Sequence, residues 1–480
     1  MSAINILFIT SESDPFIKVG GLGDVSYALP KALKKIGVNI KVILPNHGTI
    51  KNKFKKEMKF VSSFSVPVGW RDQKASLFYL KYNNIDFYFI DNEYYFKRHI
   101  PYGNYDDGEI FSFFSRATLE SIKYIPNFKP NILHCNDWHT AIIPVLLKEF
   151  YSHLNLYKNI KTIFTIHNLK YQGVFNPTVL QDLLGLNNSY FSEDKLKFYD
   201  NISFMKGGLN YSDIITTVSD SYAKEIMYPF FGENLDGLIY HLKDKIFGII
   251  NGIDYSLYNP RNDSYISNTY GITNYLEKVK NKTSLQKKLN LPINENVFVI
   301  GLVSRLVSQK GLDLIKRVLD EILNLNIQFI ILGSGDLQYE DLFSYYSQIY
   351  PDKLSANITF SSSLAKEIYA GCDLFLMPSL FEPCGIGQLI AMRYGTVPLV
   401  RSVGGLKDTV FPFDKTTKKG NGFTFHSYNA HDMLSSIENA YNLYYTDKKS
   451  WNILIKSCMR FNCNWNESAK KYKSLYSSLI

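Results

Sequence analysis

The side chains best able to handle a negatively charged leaving group lie in two short segments. In Ser304-Arg-Leu-Val-Ser-Gln-Lys-Gly311, Arg305 and Lys310 stand five residues apart just after an apolar run. Arginine is scarce here, only nine among 53 Lys and Arg, so an arginine in such a loop marks a specific contact better than any lysine does. A guanidinium fork chelates phosphate oxygens and an ammonium adds a mobile point charge. The second segment, Lys18-Val-Gly-Gly-Leu-Gly-Asp24, sets a lysine beside Gly20, Gly21 and Gly23 where a strand gives way to a helix. Backbone N–H groups there lack Cβ obstruction, and a helix N-terminus favours anions. The spacing fits neither G-x-G-x-x-G nor a P-loop. Three cations in such loops suit a departing diphosphate; the plainer alternatives are a tight structural turn and a solvated ion pair.

A carboxylate and two polar clusters supply the other half of a possible reaction. Glu382, in Ser379-Leu-Phe-Glu-Pro-Cys-Gly385, follows an apolar strand and precedes an apolar helix, so it is the best candidate for a catalytic carboxylate. Capping the following helix is its ordinary alternative. Cys384 reads by default as a small buried hydrophobe. Asn136-Asp137-Trp138-His139 and His167-Asn168 each end a predicted strand, which would bring Asp137 and His167 together. Asp137, His139 and His167 could be metal ligands, but the second half of the chain offers no completing His or Cys cluster, and no D-x-D pair occurs. No metal is expected.

The elements that must position these residues follow from periodicity. Short apolar runs at 4–9, 40–44, 87–90, 132–134, 162–166 and 214–218, then at 297–302, 327–332, 374–378 and 397–400, alternate with longer helical stretches. Buried strands separated by helices predict an α/β fold with two doubly wound parallel sheets. Ligands bind beyond the carboxyl ends of such strands, so two sheets facing each other would form a cleft with both cationic loops on its walls. The polar stretch from Asn259 to Pro292 separates the two sheets, with a hinge that could begin near Gly248. The expected domains are 1–248, 249–457 and a helical tail at 458–480.

Composition narrows the function classes. A chain of 480 residues with 45% hydrophobic and 20% charged residues is long enough for several packed cores and unlike a disordered protein. A net charge of +9 without a basic tail gives little support to a nucleic-acid partner. The 35 Tyr and 33 Phe accompany abundant Lys, Asn and Ile, as an AT-rich genome would produce, and do not by themselves mark a carbohydrate surface. Five scattered cysteines without a C-x-x-C pair fit a reducing compartment. With no signal-peptide pattern and no long apolar span, a soluble cytoplasmic protein is expected, with no membrane partner.

Seven segments, in register along nearly the whole chain, resemble the bacterial glycogen synthase and plant starch synthase family of retaining glucosyltransferases: residues 18–24, 134–139, 166–173, 250–254, 304–311, 381–385 and 403–410. The resemblance implies a GT-B fold, two Rossmann-like domains facing across a deep cleft with the C-terminal helix crossing back to the first. It implies transfer of glucose from ADP-glucose, as donor substrate and without a further cofactor, to a glycogen or maltooligosaccharide primer. Matched residue by residue, Lys18, Gly20 and Gly21 with Arg305 and Lys310 would hold the diphosphate. Glu382 and His167 would meet the donor glucose, Asp137 would lie near both sugars, and Phe360 would rest against the base. Glu12, Asp24, Asn251, Cys384 and Gly385 also match positions lining the family's cleft. Leu380, Ile386 and Gly387 depart from the usual residues flanking the Phe-Glu-Pro-Cys-Gly motif, and 360–366 lacks the usual acidic residue and histidine. Alternatives are a related transferase with a small acceptor and a glucan-binding protein without turnover.

Overall fold

In the computed structural model, which describes residues 4–480, β1 (Asn5–Ile9) is buried on both faces from Ile6 to Ile9. A strand clad by helices on both sides requires this. It lies inside a nine-stranded sheet with β2 (Asn39–Pro45), β3 (Lys59–Val68), β4 (Arg71–Tyr82), β5 (Ile85–Asp91), β6 (Ile132–Asn136) and β7 (Lys161–Ile166). A separate three-stranded sheet comprises β8 (Val174–Phe175), β9 (Lys197–Phe198) and β10 (Asn201–Ser203). The large sheet is completed by β11 (Ile214–Thr217) and β12 (Ile246–Gly248), in the order β12-β11-β7-β6-β1-β2-β5-β4-β3. Pairing is parallel from β12 through to β5, while β5-β4 and β4-β3 are antiparallel. The hairpin β3-β4 escapes a search for apolar runs because its buried residues alternate with exposed ones, the mark of strands near a sheet edge.

This first unit ends at Asn251 and regains the chain at Trp465–Ile480; the second is Gly252–Asn464. The expected limits at 248 and 457 need correction. Residue 458 falls inside the helix Lys448–Arg460, whose Cys458 and Met459 belong to the second unit's core, and only after Phe461–Asn464 does the chain leave that core. The last helix, Asn466–Ser478, sends Ala469, Tyr472 and Tyr476 into the same core as Phe8, Leu29 and Ile132. Its anchor is a buried hydrogen bond of 2.7 Å between the Tyr476 hydroxyl and His134 Nδ1.

The second unit carries β13 (Phe298–Val303), β14 (Ile327–Gly333), β15 (Leu354–Ile358), β16 (Leu374–Met377), β17 (Val397–Arg401) and β18 (Phe423–Phe425), all parallel. Their order, β15-β14-β13-β16-β17-β18, is that of the doubly wound dinucleotide-binding sheet, whose strand order reverses between β13 and β16. The first sheet reverses in the same manner between β1 and β6. The polar stretch 259–292 lies in the chain between β12 and β13 and belongs to the second unit. Lys278, Asn281 and Lys282 of the helix Lys278–Lys288 are buried, Lys282 pairing with Asp373 at 2.6 Å and Lys278 donating to the carbonyl of Ala370 and to Thr396. Paired buried lysines leave a polar sequence signature on what is packed structure.

Candidate active site

Each sheet reverses its strand order beside loops that carry the predicted residues. In the first unit, the chain leaving β1 reaches Glu12 and then the Lys18–Asp24 loop, which opens the helix Gly21–Lys35 with Gly20 as its N-cap. Glu12 is fully buried, and its carboxylate accepts hydrogen bonds from the N–H groups of Val19, Gly20 and Gly23, the last at 3.0 Å. The amides that the sequence left open to a phosphate are therefore engaged by an internal carboxylate, which caps the helix where Gly20 has no side chain to do so. Lys18 is likewise not a free cation: its Nζ lies 2.6 Å from Asp24 Oδ1. Burial raises the pKa of Glu12 to about 7, against the lowering effect of its three amide donors, and raises that of Asp24 against the charge of Lys18.

Asp137 directly follows β6. It holds φ +61° and ψ 175°, a backbone region that side chains other than glycine rarely adopt, and its own N–H donates to the Thr165 carbonyl at 2.9 Å. Its carboxyl accepts from the Trp138 amide at 3.0 Å, yet burial pushes its pKa up to about 8, with a further rise from the nearby charge of Glu12. His167 follows β7, and its Nε2 lies 3.0 Å from Asn136 Oδ1. Asn136 spends its amide nitrogen on the Ile9 and His134 carbonyls, so its oxygen faces the ring and the proton sits on Nε2. Enclosure depresses the imidazole to about 3, so His167 is neutral, with Nδ1 a lone-pair acceptor. His139 stacks on Trp138 at 4.1 Å between ring centroids, and neither of its nitrogens has a partner among the described residues. Asn251, the last residue of the first unit's main segment, is buried, and its side-chain oxygen has no partner among the described residues.

In the second unit, Lys310 Nζ lies 2.6 Å from Glu382 Oε2, to which the Ser379 hydroxyl also donates at 3.1 Å. The loop after β13 and the loop after β16 thus meet through the predicted cation and the predicted carboxylate. Gly311 permits the approach: at φ +72°, a Cβ there would stand 2.0 Å from the Pro378 carbonyl oxygen. The Leu380 amide donates to the Gln309 carbonyl at 2.9 Å, and Arg401 donates to the carbonyls of Ser379 and Leu380. Arg305 is exposed, and only its carbonyl, which accepts from the Ser304 hydroxyl and the Val307 amide, has hydrogen-bond partners among the described residues. Phe360, just past β15, is 79% exposed, a flat apolar face left in water. Cys384 is buried, Gly385 follows it, and the helix Gly387–Arg393 begins two residues on.

Asn136, Ser379 and Arg401 are the supporting residues that pattern reading did not single out. Arg401 carried a usable signal, since arginine is rare in this chain; the other two are polar residues at strand ends whose partners are distant in sequence. Among the described residues, no group of three or more His, Cys, Asp or Glu is arranged to hold a metal ion, and no helix is long and apolar enough to cross a membrane.

The starch synthase catalytic domain family matches residues 5–241, and the glycosyl transferases group 1 family matches 282–452. Glycogen synthase from Clostridium acetobutylicum is 56% identical over 477 residues, covering 99% of this chain and 100% of that one. The chain belongs to the glycogen synthase family. A second glycogen synthase, from Clostridium novyi, is 53% identical with 99% of both chains covered. The catalytic domain of starch synthase IV from Arabidopsis thaliana, solved bound to ADP and acarbose, superposes with a TM-score of 0.94 at 33% identity, over 100% of this chain and 99% of that one. These matches and the two doubly wound sheets bear out the GT-B fold class, and the chain is a glycosyltransferase. Sucrose-phosphate synthase from Thermosynechococcus elongatus shares the fold alone, with a TM-score of 0.64 at 15% identity. For a glycogen synthase relative, the loops after β1, β6, β7, β13 and β16 are the places where function is to be sought.

Proposed function

We propose that this chain transfers glucose with retention from ADP-glucose to the non-reducing end of an α-1,4-glucan, glycogen or a maltooligosaccharide. The observation that carries the reading is the contact of Lys310 with Glu382 at the strand-order reversal of the second sheet, with the exposed Arg305 five residues before Lys310 in the same loop. Leaving of ADP places negative charge on the β-phosphate and positive character on the glucosyl carbon. Arg305, Lys310 and Lys18 suit the first, and the lone pairs of Glu382 and His167 suit the second.

In the proposed step the glucosyl C1–O bond breaks with its electron pair passing to the phosphate oxygen. The 4-hydroxyl of the glucan bonds to C1 from the same face and gives its proton to that departing phosphate. Glu382, with its Oε2 held by Lys310 and Ser379, orients the glucose hydroxyls and stabilises the developing positive charge without forming a covalent bond. Neutral His167 accepts a sugar hydroxyl at Nδ1. Asp137, protonated at neutral pH by its raised pKa, donates to a sugar oxygen and is no nucleophile. Glu12 and Asp24 set the Lys18 loop, Phe360 stacks on the adenine, and Asn251, Gly20, Gly21, Cys384 and Gly385 shape the surrounding backbone. The reading uses no cofactor beyond the donor. A cytoplasmic setting is part of it, in keeping with five buried free cysteines.

Purified protein given ADP-glucose and glycogen should release ADP and lengthen outer chains through bonds that an α-1,4-specific amylase cleaves. Absence of turnover with ADP-, UDP- and GDP-glucose alike would overturn the proposal. Thermal-shift titration with ADP, UDP and GDP reads the base, because ligand at a hundred times its Kd adds about 2.7 kcal/mol to the native state.

A further inference from the structure

The irregular loop between β16 and the helix Gly387–Arg393 carries Glu382, and its backbone is held along its whole length. Every carbonyl from Ser379 to Gly385 accepts a hydrogen bond. Arg401 donates to those of Ser379 and Leu380, and Gln309 to that of Phe381 at 3.3 Å. The Gly405 amide donates to those of Glu382 and Pro383, both at 3.2 Å, and Gln388 to those of Cys384 and Gly385 at 3.1 and 3.0 Å. Buried backbone outside a helix or sheet has to find such partners. Here most of them come from other elements, namely the loop after β13 and the segment that follows β17.

Of these donors, Arg401 joins the most segments. It is the last residue of β17 and is buried. Its Nη1 serves the Ser379 and Leu380 carbonyls, and its Nε donates at 3.2 Å to the His426 carbonyl just past β18. The guanidinium also lies 5.3 Å from the centre of the Tyr428 ring. The Tyr428 hydroxyl in turn donates to Asp313, in the helix Leu312–Arg317 that begins two residues after Lys310. On the other side, Ser379 gives its hydroxyl to Glu382 Oε2, the oxygen that Lys310 contacts. One guanidinium is thus tied through the Ser379 backbone to the carboxylate, and through Tyr428 and Asp313 to the helix behind the cation. A lysine at 401, with a single nitrogen, could not serve the His426 carbonyl and the Ser379 and Leu380 carbonyls together.

We propose that Arg401 is a positioning residue for Glu382: it fixes the loop so that the carboxylate, the Ser379 hydroxyl and the Lys310 ammonium keep one geometry, and it acts through the backbone rather than on the sugar. The proposal rests on the glucosyl-transfer reading above and extends it to the residue that sets the geometry.

The test uses the full chain with Arg401→Lys and Tyr428→Phe. A misplacement of about 1 Å at a reacting centre costs about a hundredfold in rate, so Arg401→Lys should lower kcat for ADP release by up to about that factor while the Kd for ADP stays near the parental value. Tyr428→Phe keeps the ring beside the guanidinium and loses only the bond to Asp313; its kcat should fall by about three- to tenfold. In a Glu382→Ala background, Arg401→Lys should cost no further residual transfer, because a residue acting through Glu382 then has nothing left to place. Parental kcat in Arg401→Lys, or the same fold loss with and without Glu382, would overturn the proposal. So would a loss of ADP affinity as large as the loss of kcat, which marks a structural role. If Arg401→Lys does not fold, Tyr428→Phe decides by the same criteria. Hydrogen exchange, followed without donor, should quicken at 379–388 in Arg401→Lys and stay parental in β1 and β6; unchanged exchange at 379–388 would overturn the positioning role. Should the parent release no ADP from ADP-glucose, the functional reading fails, while the exchange measurement still decides whether Arg401 holds the loop.

Discussion

Replacing Glu382 by alanine separates two roles that a single carboxylate could have. Its oxygen lies 2.6 Å from Lys310 Nζ, and the two side chains are only 10% and 17% exposed. A unit charge pair at this distance attracts by roughly 6 kcal/mol at an effective dielectric of 20 and by about 1.6 kcal/mol in bulk water. Diphosphate oxygens must compete with that carboxylate for the ammonium. Removing it should leave ADP affinity intact or tighten it by up to about tenfold, taking the lower figure because solvent reaches the loops. Transfer should fall by about a hundred- to a thousandfold or more, since one preorganised group facing developing charge is worth about 3–4 kcal/mol. Calorimetry with ADP and a coupled assay of ADP release from ADP-glucose measure the two quantities on the same preparation. A parallel loss of ADP binding and transfer would refute the reasoning and make Glu382 a structural support of its loop.

Three further outcomes follow from the geometry. Glu12 and Asp137 have pKa values raised to about 7 and about 8 by burial, so their contribution to stability is complete below about pH 4 and is lost as pH rises through those values. The melting temperature should therefore fall between pH 5 and 8.5, and Asp137→Asn should flatten the slope; an unchanged slope would show that Asp137 does not titrate there. Gly311→Ala forces a Cβ against the Pro378 carbonyl at 2.0 Å and should displace Lys310, raising the KM for ADP-glucose and lowering kcat in steady-state assays; parental kinetics would refute it. Tyr476→Phe removes the hydrogen bond to buried His134 and should destabilise the first unit by about 1–3 kcal/mol in chemical denaturation, leaving ADP affinity at the second unit's loops unchanged in calorimetry.

The sequence by itself determined what local spacing encodes. Ten apolar runs separated by helical stretches correspond to strands of the two sheets, because a parallel strand covered on both faces must be apolar throughout. The loops holding Lys18, Asp137, His167, Arg305 and Glu382 were legible for the same reason, being the polar interruptions at the ends of those runs. Pattern could not show that Glu12 fills the amide cradle of the glycine loop, that Lys18 is matched by Asp24, or that Lys310 and Glu382, 72 positions apart in the chain, touch. Nor could it show that the polar stretch 259–292 between the two sheets holds a packed helix, whose Lys278 and Lys282 are buried on carbonyls and a carboxylate. Hydrogen-bond and charge partners are set by where the sheet brings chain ends together, and the free energy of burying a charged group depends on that partner rather than on its neighbours along the chain. Tertiary structure alone therefore decided which predicted charges stay free, as Arg305 does, and which are held, as Lys18 and Lys310 are.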